Sequence, residues 1–162
     1  MADFERYLMN NPLRRSFLKG AGALAAAFSV GFLDPIAVFA AAWNKTAFSA
    51  KTVLDAMLAS GYDNAEESPD IALKVPDIAE DGAIVPVEVT SRIPDTVSIA
   101  IFVEKNPNPL VADVAFLNGA EPYIATHIKM AKTSVVKVAV RTGGGTYTTG
   151  KEVKVTLGGC GG

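Results

Sequence analysis

From residue 85 onward, apolar side chains recur at every second position. Val85, Val87 and Val89 alternate with Pro86, Glu88 and Thr90, and Val97, Ile99, Ile101 and Val103 alternate with Ser98, Ala100, Phe102 and Glu104. Ile124, Thr126, Ile128 and Met130 repeat the pattern, followed by Val136, Val138 and Val140 and then by Val153, Val155 and Leu157. A period of two sends successive side chains to opposite faces of an extended chain, so each run predicts a strand with one buried face. Further strands are expected at 71–75 and 110–117. Turn signals separate the runs at Asp81-Gly82, Pro94-Asp95, Asn106 to Pro109, Asn118-Gly119 and Gly143-Gly144-Gly145. Residues 48–61 have helical spacing instead. Val53, Leu54, Met57 and Leu58 form one stripe, Ser49 is the expected N-cap and Gly61 a left-handed stop. Residues 63–70 read as an acidic loop. Short strands without helices between them predict an all-β fold, an antiparallel β-sandwich with one N-terminal helix along an edge or an end. Ala100, Phe102 and Ala125 place apolar groups on the other face of their strands, a hint of a second, partly buried face.

The first 42 residues do not belong to this pattern. Arg6, Arg14, Arg15 and Lys19 outweigh Asp3 and Glu5, and an uncharged, mildly apolar run from Gly20 to Leu33 follows. Small residues at Ala37, Ala40, Ala41 and Ala42 offer processing sites before Trp43 or slightly earlier. Arg14, Arg15, Phe17, Leu18 and Lys19 resemble the twin-arginine export signal, although Leu13 stands where that signal more often has Ser or Thr. The alternative is a membrane anchor. The apolar run is short for a span of about 20 residues, is weakened by Ala and Gly, and is broken by Asp34-Pro35. Residues 1–42 are therefore read as a cleaved twin-arginine signal peptide, 43–157 as the sandwich domain and 158–162 as a separate arm. The expected location is the periplasm, with no membrane attachment once processed.

Composition narrows the function. The chain has 162 residues, 49% hydrophobic and 20% charged, which suits one packed domain. A net charge of −2 without a basic stripe argues against a general nucleic-acid binder. One Cys and one His cannot supply an internal disulfide, a CxxC pair, a zinc ribbon or a Ser-His-Asp set. No metal or cofactor is expected. His127 reads as a surface residue on the polar side of a strand. Gly143-Gly144-Gly145 lacks the Lys and Ser/Thr of a phosphate loop and reads as a hairpin turn. Glu66-Glu67 reads as solvated charge. These residues argue against a self-sufficient enzyme.

The chemistry falls instead on Gly158-Gly159-Cys160-Gly161-Gly162. Glycine is the most permissive residue in backbone conformation, so this tail is expected to be flexible and to hold its thiol away from the domain. Five extended residues reach at most about 17 Å. Such an arm suits delivery of a thiol into another protein's narrow channel, where a larger side chain beside Cys160 would collide. A free thiol has a pKa near about 8.5, lowered only by a nearby cation or helix N-terminus. The nearest cation in sequence is Lys154, so Cys160 reads as a carrier group activated by its partners. The alternative is an exported interaction module whose lone Cys forms an intermolecular disulfide, a dimer linked through Cys160.

The tail, the preceding Val153-Lys154-Val155-Thr156-Leu157, the segment Ile128-Lys129-Met130-Ala131 and the twin-arginine leader together resemble the SoxY family. These are the sulfur-carrier subunits of the periplasmic thiosulfate-oxidising Sox system. The resemblance implies an immunoglobulin-like sandwich paired with a SoxZ-like subunit in a heterodimer. It also implies covalent sulfur attachment at Cys160, with Gly158, Gly159, Gly161 and Gly162 as a swinging arm. The implied transient partners are the cytochrome SoxXA, which attaches thiosulfate as an S-thiosulfonate, and the thiosulfohydrolase SoxB, which releases sulfate and leaves a persulfide. SoxCD, where present, oxidises that sulfane sulfur.

Overall fold

The alternating runs become strands whose apolar faces close on one another. The computed structural model describes residues 44–157. Two helices, α1 (Lys45–Ser49) and α2 (Val53–Ser60), lead into nine strands. These are β1 (Glu66–Glu67), β2 (Ile71–Lys74), β3 (Ile78–Asp81), β4 (Val85–Ser91), β5 (Thr96–Val103), β6 (Leu110–Ala115), β7 (Tyr123–Ile128), β8 (Ser134–Thr142) and β9 (Thr146–Leu157). The larger sheet has the order β1-β9-β8-β5-β6, with β3 also on β9, and the smaller one β2-β4-β7. Between them lie Val85, Val87 and Val89 of β4, Ile99, Ile101 and Val103 of β5, and Val136, Val138 and Val140 of β8, all buried. Each such side chain contributes about 1.5–3 kcal/mol on leaving water. The chain is an all-β, immunoglobulin-like sandwich.

Several local expectations are corrected. The single helix over 48–61 is two helices broken at Ala50-Lys51-Thr52. Thr52, not Ser49, caps α2: its Oγ1 accepts from the Asp55 amide at 3.1 Å and donates to Asp55 Oδ2 at 2.7 Å. Ser49 Oγ donates backward to the Lys45 carbonyl at 2.6 Å, and Asn44 caps α1 through the Ala47 amide. Gly61 does stop α2 in the left-handed region at φ 73°, and the Tyr62 amide bonds the Met57 carbonyl. The buried side of α2 is Ala56 and Ser60 flanked by half-buried Val53 and Met57, whereas Leu54 and Leu58 are exposed. Small Ala56 lets the helix approach closely, which leucine does not. The acidic loop contains β1, which pairs parallel with Tyr147 and Thr148 of β9. The sandwich is therefore not wholly antiparallel, since β3 also runs parallel to β9.

The helices do not pack along an edge or an end. They cover the outer face of the larger sheet, where Ala100 and Phe102 of β5, Leu110 of β6 and Ala139 of β8 meet Ala47, Ala56 and Tyr62. Ala125, the third residue of the suspected second face, lies exposed on the smaller sheet. Tyr62 pins this layer. Its ring meets Phe102 edge-on at 6.3 Å, and the Arg141 guanidinium lies 5.1 Å from its centroid. Arg141 Nη1 also donates to the Ser60 carbonyl at 3.0 Å. The Tyr62 hydroxyl donates to Asp113 Oδ1 at 2.7 Å and bonds Ser98 Oγ at 2.9 Å.

Burial first, then the Asp113 carboxylate, pushes the Tyr62 phenol well above its ordinary 10.0. A folded-state value above the unfolded one means stability that is complete below pH 10 and lost as pH rises beyond it. Tyr62→Phe leaves Ser98, only 1% exposed, without this partner and is expected to cost about 1–3 kcal/mol in urea unfolding at neutral pH. Repeating the unfolding above pH 10 checks the sign: the gap between Tyr62→Phe and the parent chain narrows. A gap that stays constant or widens there contradicts the assignment.

Candidate functional site

Residues 158–162 follow β9 in sequence, and the end of that strand is held by several hydrogen bonds. β9 pairs antiparallel with β8 as far as Val153, opposite Ser134 where β8 begins. Beyond it, residues 154–157 need new partners. β3 supplies them on one side, aligning Ile78 with Lys154, Ala79 with Val155 and Asp81 with Leu157. The Lys154 amide donates to the Asp77 carbonyl at 2.9 Å, Thr156 Oγ1 to the Glu80 carbonyl at 2.8 Å, and the Gly82 amide to the Leu157 carbonyl at 2.8 Å. On the other side, Thr133 Oγ1 accepts from the Val155 amide at 3.0 Å. Gly82 is itself tied down, its carbonyl accepting from the Met130 amide at 2.7 Å.

The near end of β3 is fixed by Lys151. Its Nζ sits 2.8 Å from Asp77 Oδ1 and donates to the Val75 carbonyl at 3.1 Å. The Lys151 hydrogen bond and charge hold the Asp77 carboxyl below its usual value. Ala79 is buried and Val155 half-buried, so the strap also closes the end of the core. The end of β9 is thus held from both sides at Val155 and from the β3 side up to Leu157, the last described residue.

Gly158, Gly159, Cys160, Gly161 and Gly162 lie outside the described residues, as do Arg14, Arg15, Phe17, Leu18 and Lys19. Covalent geometry alone limits the Cys160 Cα to about 11 Å from that of Leu157. Leu157 itself is 70% exposed. Sequence reading missed β3, Lys151 and Thr133 as parts of the site. Pro76-Asp77-Ile78-Ala79-Glu80-Asp81 shows no alternation, and only pairing with β9 makes it a strand.

The remaining candidates sit elsewhere. His127 is exposed on β7, opposite Pro86. Gly143-Gly144-Gly145 forms the β8–β9 hairpin turn, where Thr142 Oγ1 accepts from the amides of Gly144 and Gly145, each at 3.1 Å. Among the described residues no three His, Cys, Asp or Glu side chains gather as a metal site, and no helix is long and apolar enough to cross a membrane.

The family model described as sulfur oxidation protein SoxY matches residues 56–160. Among solved structures, the chain is similar to the sulfur carrier protein SoxY from Chlorobium limicola f thiosulfatophilum. The two are 40% identical with a TM-score of 0.57, over 64% of this chain and 96% of that one. An engineered protein is 16% identical at a TM-score of 0.39, over 54% of this chain and 20% of its own. The superantigen toxic shock syndrome toxin-1 is 18% identical at 0.36, over 52% of this chain and 99% of its own. Neither of these two carries weight at such scores. No curated protein matches the chain.

Proposed function

The chain belongs to the family of the sulfur oxidation protein SoxY, and from that premise we propose that it is a non-catalytic carrier holding sulfur covalently on Cys160. The observation that carries the reading is the extent of the family match, which runs through Gly158 and Gly159 to Cys160 itself. The strapped root of β9 supports it. A carrier must present its cargo from a fixed point, and the hydrogen bonds to Leu157, Thr156, Val155 and Lys154 supply one.

In the proposed cycle the Cys160 thiol and the sulfane sulfur of thiosulfate form an S–S bond. Two electrons pass to the cytochrome SoxXA and the thiol proton to solvent. SoxB then hydrolyses the bond between sulfane and sulfonate sulfurs. The water oxygen leaves in sulfate, and a persulfide remains on Cys160. SoxCD, where present, oxidises that sulfur. The chain pairs with a SoxZ-like subunit and works in the periplasm after twin-arginine export. No metal or organic cofactor takes part on this chain. The test is loading in vitro. Incubated with thiosulfate and oxidised SoxXA, the Cys160 peptide should gain the mass of an S-thiosulfonate, and SoxB should convert it to a persulfide. A peptide left as the free thiol contradicts the proposal.

A further inference from the structure

β9 outlasts its partner. Its antiparallel pairing with β8 runs from Thr146 to Val153, and the residues from Lys154 to Leu157 continue past the start of β8. Among the described residues, the hydrogen bonds to that stretch come from the segment Asp77 to Gly82 and from Thr133. Little apolar burial reinforces them. Ala79 is the one buried side chain of β3, and on the end of β9 Val155 is half-buried while Lys154, Thr156 and Leu157 are exposed. Elements held by exposed backbone bonds and few apolar contacts open locally, well before the whole fold does.

Two side chains oppose such opening, each from an element that is itself firmly paired. Lys151 lies within the β8–β9 ladder opposite Val136, and it reaches Asp77 Oδ1 at 2.8 Å and the Val75 carbonyl at 3.1 Å, just ahead of β3. Thr133 directly precedes β8, and its hydroxyl accepts from the Val155 amide at 3.0 Å.

Opening changes where the fixed chain ends. With β3 in place, Cys160 lies three residues beyond Leu157 and its Cα reaches about 11 Å from there. With β3 released, the last fixed residue is Val153, seven residues back, and the reach grows to about 25 Å. The effective concentration of a tethered group falls about as the −3/2 power of tether length. Four more free residues therefore dilute the thiol at the channel of a docked enzyme roughly three- to fourfold.

We infer that β3 is a clasp that sets the working length of the sulfur arm, with Lys151 and Thr133 as the positioning residues that keep it closed. The inference rests on the reading of Cys160 as the sulfur carrier.

Two variants test it. Lys151→Met combined with Thr133→Val removes both fastenings and leaves no buried charge, since the Asp77 side chain is 87% exposed. The other variant keeps the clasp and inserts four glycines between Leu157 and Gly158. Each chain is loaded with thiosulfate by SoxXA and given to SoxB. The kcat/KM for sulfate release is expected to fall roughly three- to fourfold on insertion and at least about twofold in the double variant. Hydrogen exchange at the Lys154 and Val155 amides should quicken in the double variant alone. Alkylation of the unloaded Cys160 by iodoacetamide, which needs no channel, should keep the parent rate in both. Lys151→Arg, which retains the cation, should exchange and turn over as the parent does.

Unchanged or faster turnover after insertion overturns the inference, because the clasped length is then not the working one. Parent-like exchange in the double variant overturns the role of its two residues. Faster exchange with parent-like turnover overturns it too, and leaves β3 only the closing of the core. A parent chain that SoxXA does not load overturns the carrier reading and the inference together.

Discussion

Cys160→Ser is expected to bring sulfur loading to background and to stop thiosulfate oxidation by the reconstituted Sox components. A hydroxyl oxygen cannot form the S–S bond on which every later step depends. No other residue can take over, because the chain has a single Cys. Stability should hardly change. The position lies three residues beyond Leu157, itself 70% exposed, and substitutions away from the core usually stay within about 0.5 kcal/mol. The two readouts separate a carrier from a structural cysteine: oxidation rate in the presence of SoxXA and SoxB, and the melting temperature. Retained thiosulfate oxidation, or a large fall in melting temperature, contradicts the assignment.

The largest stability effect is expected at Phe102. Its side chain is fully buried on the outer face of β5, edge-on to Tyr62 and packed among Ala100, Leu110 and Ala139. Phe102→Ala should cost about 3–5 kcal/mol in urea unfolding, since it removes apolar contact and leaves a void beneath the helices. The consequence reaches the local layer before the sandwich. Loss of Phe102 loosens α1 and α2, whereas the valines between the sheets keep their partners. Limited proteolysis should therefore cut near residues 45–61 first. A cost below about 1 kcal/mol, or first cuts within β4 or β8, would show that the helices do not depend on this layer.

The parts of the fold that were legible are those where one face is buried and the other wet. β4 alternates without a break from Val85 to Ser91, its apolar positions buried and the intervening ones partly or fully exposed. β5 was legible as a strand but not in its surroundings. Ser98 to Val103 are all buried, so alternation no longer separates the two faces. Ala100 and Phe102 hinted at the second layer, but small residues such as Ala47 and Ala56 do not announce what they pack against. β1 and β3 were illegible for a different reason. Glu66-Glu67 and Ile78–Asp81 are strands because β9 offers free backbone groups, not because of any pattern of their own. The first half of β9 was missed as well, its Thr-rich run carrying little apolar signal before Val153.

The candidate site divides the same way. The chemistry proposed for it rests on the composition of Gly158 to Gly162, which lie outside the described residues. Its mounting was not legible in the sequence. The strap from Asp77 to Gly82, the Lys151–Asp77 ion pair and the Thr133 hydroxyl are long-range contacts between segments far apart in sequence. Lys151 is one of fifteen basic residues, and nothing local distinguishes it from a solvated lysine.

The most direct test of covalent sulfur carriage is the intact mass of the protein purified from thiosulfate-grown cells, before and after treatment with a thiol reductant. Sulfur adducts that map to Cys160 and disappear on reduction are the predicted result, on a chain beginning near Trp43 if the export signal is removed. A bare thiol, or only a dimer joined through Cys160, contradicts carrier duty and favours a cross-linked interaction module.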